Sequence, residues 1–109
     1  MTSGASAAAT SAALVLHVEA PLSLEYAKLA TELRNAGLNV EVYGGDDKLG
    51  KQFKYADRSG VPLVILLGSR ERDAGVVKLK DLKTGVETEV PRGELVARVK
   101  AALATPPTP

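Results

Sequence analysis

The stretch richest in chemistry is Lys48-Leu-Gly-Lys-Gln-Phe-Lys-Tyr-Ala-Asp-Arg58. Wound as a helix at about 100° per residue, it gathers Leu49, Phe53 and Ala56 into an arc of about 60°, and Lys51, Lys54 and Arg58 into a similar arc on the other side. Lys48 and Tyr55 flank the basic arc, with the amide of Gln52 beside it. Cations that hold phosphates, a ring that stacks on a base and an amide that reads a base edge are the groups with which proteins recognise RNA. The same pattern also describes a solvated helix face with one partly buried tyrosine, and composition alone leaves both open.

Other arrangements are thinner. Gly44-Gly45 ahead of a helix near Asp46 or Asp47 has the outline of an anion-binding loop, but there is neither a Walker motif nor a dinucleotide fingerprint. Two aspartates would themselves occupy the positive end of that helix, so a turn with a helix cap is expected there. His17 lies in an apolar strand without an evident nucleophile and is read as a hydrogen-bonded structural residue. Glu19, Glu41 and Asp46 fall at strand ends, where open α/β sheets bind ligands, but spacing does not test them as an acid/base group; Glu41 could accept from a base amino group, with an exposed partner for a neighbouring lysine as the default reading. Arg70, Arg72, Lys78, Lys80 and Lys83 form a second basic region diluted by Glu71, Asp73 and Asp81, which reads as ordinary charged surface. No catalytic residue is assigned.

Composition narrows the chemistry further. The 109 residues carry no cysteine and one histidine, which excludes disulfides, thiolate nucleophiles and zinc-thiolate sites and leaves no multi-histidine metal centre. No metal and no cofactor are therefore expected. The 14 basic and 13 acidic side chains give a net charge of +1, so attraction to nucleic acid must come from clustering. No apolar run is long enough for a membrane span, and no membrane partner is expected.

The elements that must position these residues alternate legibly. Residues 1–13, almost entirely Ala, Ser, Thr and Gly, read as a linker or tail, and residues 105–109 as a short C-terminal tail, leaving one domain over 14–104. Leu14–Val18 reads as a strand, and Ser23 caps a helix to Ala36 that Gly37 ends. Leu38–Tyr43 alternates as a strand, Asp47 to about Ser59 forms the basic helix closed by Gly60, and Pro62–Leu67 is a buried central strand. Val76–Asp81 and Val86–Val90 flank Lys83-Thr84-Gly85 as a hairpin, and Arg92–Ala104 closes the chain as a helix. The series β-α-β-α-β-β-β-α predicts an α/β fold: a mixed five-stranded sheet with three helices.

Several of these residues, in order, resemble the C-terminal anticodon-binding domain of class II aminoacyl-tRNA synthetases, the histidyl branch in particular. The resemblance runs over about residues 14–103. It rests on Lys48-Leu49, Lys51-Gln52, Lys54-Tyr55-Ala56-Asp57-Arg58 and Gly60, then Leu67-Gly68 with Glu71, Val77-Lys78, Lys80-Asp81-Leu82, Thr84-Gly85, Val90 and Glu94-Leu95. It implies a cytoplasmic module that binds the anticodon loop of a transfer RNA, most simply that for histidine, and positions it for a class II catalytic domain elsewhere in the parent protein. The RNA-binding residues it suggests are Glu41, Lys48, Lys51, Gln52, Lys54, Tyr55 and Arg58, and the module itself would not catalyse. A different assignment with the same fold is the protein-interaction domain of a synthetase-like regulatory subunit of histidine biosynthesis, which would bind a phosphoribosyltransferase instead of RNA.

Overall fold

The computed structural model describes residues 11–104; the N-terminal stretch and residues 105–109 assigned above to tails lie outside the described residues, except for residues 11–13. Strand β1 (Ala13–Val15) opens one residue before the expected start of the domain, and the Ala12 N–H already bonds the Asn39 carbonyl. Helix α1 (Ser23–Asn35) leads to β2 (Val40–Val42), α2 (Leu49–Ser59) to β3 (Leu63–Leu66). A short α3 (Ser69–Ala74), the hairpin β4 (Val76–Asp81) and β5 (Glu87–Pro91), and α4 (Leu95–Ala104) complete the chain. The five strands form one sheet in the order β2-β1-β3-β4-β5, parallel for the first three and antiparallel beyond. The expected mixed sheet is thus observed. Among the described residues no helix is long and apolar enough to cross a membrane.

Topology decides which helix covers which face. β2 and β3 lie on opposite sides of β1, and right-handed crossovers must then send α1 and α2 to opposite faces. Side chains alternate along β1 and β3 accordingly. Ala13, Val15, Leu63 and Ile65 pack with Tyr26, Leu29 and Leu33 of α1 and with Leu95 and Val99 of α4. Leu14, Leu16 and Val64 pack with Ala56 and Phe53 of α2. Burial on both faces explains the near-continuous apolar runs of the two strands.

Three local expectations are corrected. Ser23 is not a cap: Pro21 opens a 3-10 turn over Ala20–Leu22, so Ser23 falls inside the helical run and its hydroxyl donates to the Ala20 carbonyl at 2.8 Å. The basic helix begins at Leu49 instead of Asp47, because the Asp47 carboxylate is engaged by Tyr43 and does not cap the helix. Helix α3 has no counterpart in the sequence reading, since its six residues bury none of their side chains and show no apolar period. Gly37 and Gly60, at φ 90° and 75°, end α1 and α2 as expected.

Helix α3 is held from a distance. The Glu71 carboxylate accepts from the Gly68 N–H at 2.8 Å, and Glu19, fifty residues away, accepts from both the Ser69 N–H and its hydroxyl. Tyr26 ties the same end of the sheet, donating to the Leu67 carbonyl and accepting from the Glu19 N–H. A Cβ on Gly68 would stand 2.9 Å from Glu71 Oε1 and 3.1 Å from Glu19 Oε2. Gly68→Ala is therefore expected to part these carboxylates from their donors and to cost about 1–3 kcal/mol, measured by thermal unfolding.

Candidate nucleic-acid interface

Helix α2 is anchored by Gln52 and Ala56, both fully buried, and by partly buried Phe53, while Leu49 in its first turn stays 37% exposed. The anchoring amide is fully engaged. Gln52 Oε1 accepts from the His17 N–H at 2.8 Å, and Nε2 donates to the carbonyls of His17 and Asp47 at 2.8 and 2.7 Å. The expectation that Gln52 presents its amide on the basic face therefore does not hold: the side chain points to the sheet and pins two loops, those after β1 and β2, to α2.

The opposite side of α2 carries Lys48, Lys51, Lys54, Tyr55 and Arg58, all exposed. With Tyr43, Asp47 and Gly50 they line one cleft of about 860 Å³. Lys51 pairs with Asp47 at 3.4 Å, whereas among the described residues Lys48, Lys54 and Arg58 have no carboxylate within ion-pairing distance. These three cations are available to an anion from outside.

Two tyrosines form the aromatic part of the cleft. Tyr55 donates its hydroxyl to the Glu41 carboxylate on β2, and Tyr43 donates to Asp47 Oδ2 at 2.7 Å. The two rings meet edge to face, centroids 5.5 Å apart and planes at 82°. Tyr43, Asp47 and Gly50 are the lining residues outside the set assigned from sequence, and the first two contribute side-chain polar groups. The available signals were the aromatic end of the alternating strand 38–43 and the i,i+4 spacing of Asp47 and Lys51.

Electrostatics follow from these contacts. Donation to Glu41 favours the neutral phenol of Tyr55 and raises its pKa above the ordinary 10.0, with partial burial adding to the effect. Donation to Asp47 raises Tyr43 in the same way, and the bond lowers Asp47 below its ordinary value. Burial raises Tyr26, the third tyrosine. A group whose folded pKa is raised adds stability that is complete below its unfolded value and disappears as pH rises through the folded value. An ultraviolet titration should accordingly show all three tyrosines ionising above 10.0, with Glu41→Gln returning one of them toward it.

The remaining candidates disperse. Glu19 is bound at the start of α3, Glu41 at Tyr55, and Asp46 is exposed, so the three carboxylates make no acid/base group. His17 bonds the Gly45 carbonyl through Nδ1 and sets its ring against Tyr26, 5.8 Å between centroids. In the second basic region Lys78 pairs with Glu71, Arg72 with Asp73, and Lys80 lies over the Phe53 ring at 4.9 Å. Among the described residues no group of three His, Cys, Asp or Glu is placed to hold a metal.

The cationic cleft thus runs along α2, from Tyr43 and Asp47 past the carboxyl end of β2 to Arg58, on a β2-β1-β3-β4-β5 sheet. The family model described as "Anticodon binding domain" matches residues 12–102. The chain belongs to the anticodon-binding domain family. It is 40% identical to the histidine–tRNA ligase of Xylella fastidiosa over 92% of its own length and 21% of that protein's. It is 43% identical to the Danio rerio histidine–tRNA ligase over 80% of its length and 17% of the relative's. Among solved structures, the histidyl-tRNA synthetase of Nostoc sp. PCC 7120 superposes with a TM-score of 0.85 and 33% identity, over 88% of this chain and 23% of that one. The anticodon-binding domain thus spans about a fifth of the relatives it matches.

Proposed function

We propose that this anticodon-binding domain holds the anticodon loop of the transfer RNA for histidine on the exposed face of α2. The observation that carries the reading is the set of three cations, Lys48, Lys54 and Arg58, without an ion-pair partner among the described residues and grouped around Tyr55 in one cleft of a chain from this family. Lys54 and Arg58, four residues apart, sit on neighbouring positions of the helix and reach successive backbone phosphates. The Tyr55 ring offers a stacking surface, and the Glu41 carboxylate beneath its hydroxyl accepts from a base amino group. Lys51 contributes less, being neutralised in part by Asp47.

In this reading the domain recognises and does not catalyse. Aminoacylation belongs to a class II catalytic domain in the remainder of a cytoplasmic histidine–tRNA ligase, a placement supported by the names of the relatives and by the fifth of their length that this chain spans.

The test is a titration of the chain with a fluorescent histidine anticodon stem-loop, at two salt concentrations, beside a loop with altered anticodon bases. Tighter, salt-dependent binding of the histidine loop is the expected result. Equal binding of both loops would reduce the surface to a basic patch, and no binding, with capture of a phosphoribosyltransferase, would favour the regulatory-subunit assignment.

A further inference from the structure

Two tyrosines, not one, shape the cleft, and each has its hydroxyl held by a carboxylate on a different element: Tyr55 by Glu41 of β2, Tyr43 by Asp47 of the following loop. Asp47 is itself fixed, accepting from Tyr43 and pairing with Lys51, while its own carbonyl is bonded by buried Gln52. Both rings are therefore locked in orientation before any ligand arrives. Tyr55, 38% exposed, is the open floor, and partly buried Tyr43, whose ring packs against the core cluster of Leu14, Leu16 and Ala56, stands at 82° to it as a wall. A flat heterocycle lying on the floor presents its edge to the wall's π face, which satisfies the stacking and edge-to-face preferences of aromatic groups together.

We infer that Tyr43 and Tyr55 form a preformed seat for a single unpaired nucleobase, with Asp47 and Glu41 as the residues that position the two rings. This deepens the anticodon-loop reading and rests on it: the cations hold the backbone, and the corner takes one base out of the loop. Tyr43 is a binding residue of the seat. Asp47 acts through it, and Glu41 serves chiefly to orient Tyr55. Base stacking is tolerant of sequence, so the seat adds affinity for an unstacked base and leaves the salt dependence to the cations.

The test separates these contributions. The anticodon stem-loop is prepared with 2-aminopurine, and separately with an abasic site, at each loop position in turn. Wild-type protein should quench 2-aminopurine at one position, and an abasic site there should weaken binding about tenfold without altering the salt slope. Tyr43→Leu should remove the quenching, bind the intact loop about tenfold more weakly with an unchanged slope, and become indifferent to the abasic site, the mark of a direct coupling. Tyr43→Phe and Asp47→Ala, which both keep the Tyr43-position ring and delete the same hydrogen bond, should diminish the quenching alike without abolishing it, while Lys54→Ala leaves it unchanged. Tyr43→Leu quenching like wild type, or coupling no more strongly than Lys54→Ala, would overturn the seat. The abasic scan on unaltered protein needs no variant to fold, and insensitivity at every position would also overturn it. Salt-dependent binding that survives either result would leave the anticodon reading standing, whereas failure of wild-type protein to bind the loop would remove both.

Discussion

Replacing Lys54 and Arg58 together by alanine is expected to weaken binding of the anticodon stem-loop on the order of 100-fold and to flatten its salt dependence. Each is an exposed cation without an ion-pair partner among the described residues, so each is free to replace counterions on a phosphate. A charge-assisted contact contributes about 1.5 kcal/mol, which for two contacts corresponds to a factor of 10² or slightly more. For single-stranded RNA the slope of log affinity against log salt should fall by about 1.4. Lys51→Ala is the internal control. Its ammonium already faces Asp47 at 3.4 Å, so its removal frees a carboxylate as well as deleting a cation, and a loss of about threefold is expected. A larger loss for Lys51 than for Lys54 would place the RNA backbone over the first turn of α2 instead of its middle. An unchanged salt slope in the double variant would remove α2 from the interface.

The second large effect is on stability. Gln52→Ala leaves the His17 N–H and the carbonyls of His17 and Asp47 without their partner and opens a void under a fully buried side chain. Unsatisfied buried groups cost about 1–3 kcal/mol each, and with partial hydration of the loop groups the sum is about 3 kcal/mol. For a domain of this size that lowers Tm by roughly 12–24 °C. Gln52→Glu keeps the acceptor for the His17 N–H but faces a carboxylate to two carbonyls, so it should be destabilised similarly and recover in part on acidification. Well below its transition, folded Gln52→Ala should keep the wild-type salt slope and lose less than about tenfold in stem-loop affinity, the part that the loosened Asp47 loop takes from the tyrosine corner. A Tm loss of only a few degrees with binding down tenfold would return the amide to the RNA.

These two predictions divide where sequence and structure divide. The helical wheel of residues 48–58 placed Lys51, Lys54 and Arg58 outward, and the structure agrees, because a charge has one favourable side when the other packs on a sheet. The order of strands and helices was legible for a similar reason: buried parallel strands must be apolar on both faces, and glycines mark the ends of α1 and α2. Gln52 was not legible. On the wheel it stands about 60° from Leu49 and about 60° from Tyr55, and only the nearness of the His17 backbone, 35 residues away, turns it inward.

The same holds for every contact between distant segments. Glu19 at Ser69 starts a helix that has no apolar period to announce it, and Glu41, fourteen residues from Tyr55, fixes a ring that the helical wheel leaves free. Sequence alone determined the family resemblance, the α/β order and the charged face, since these depend on local propensity and the period of apolar residues. The tertiary structure decided which cations are unpaired, which amide is a pin and which rings form a corner. Hydrogen bonds and ion pairs between residues far apart in the chain depend on distances that no local pattern encodes.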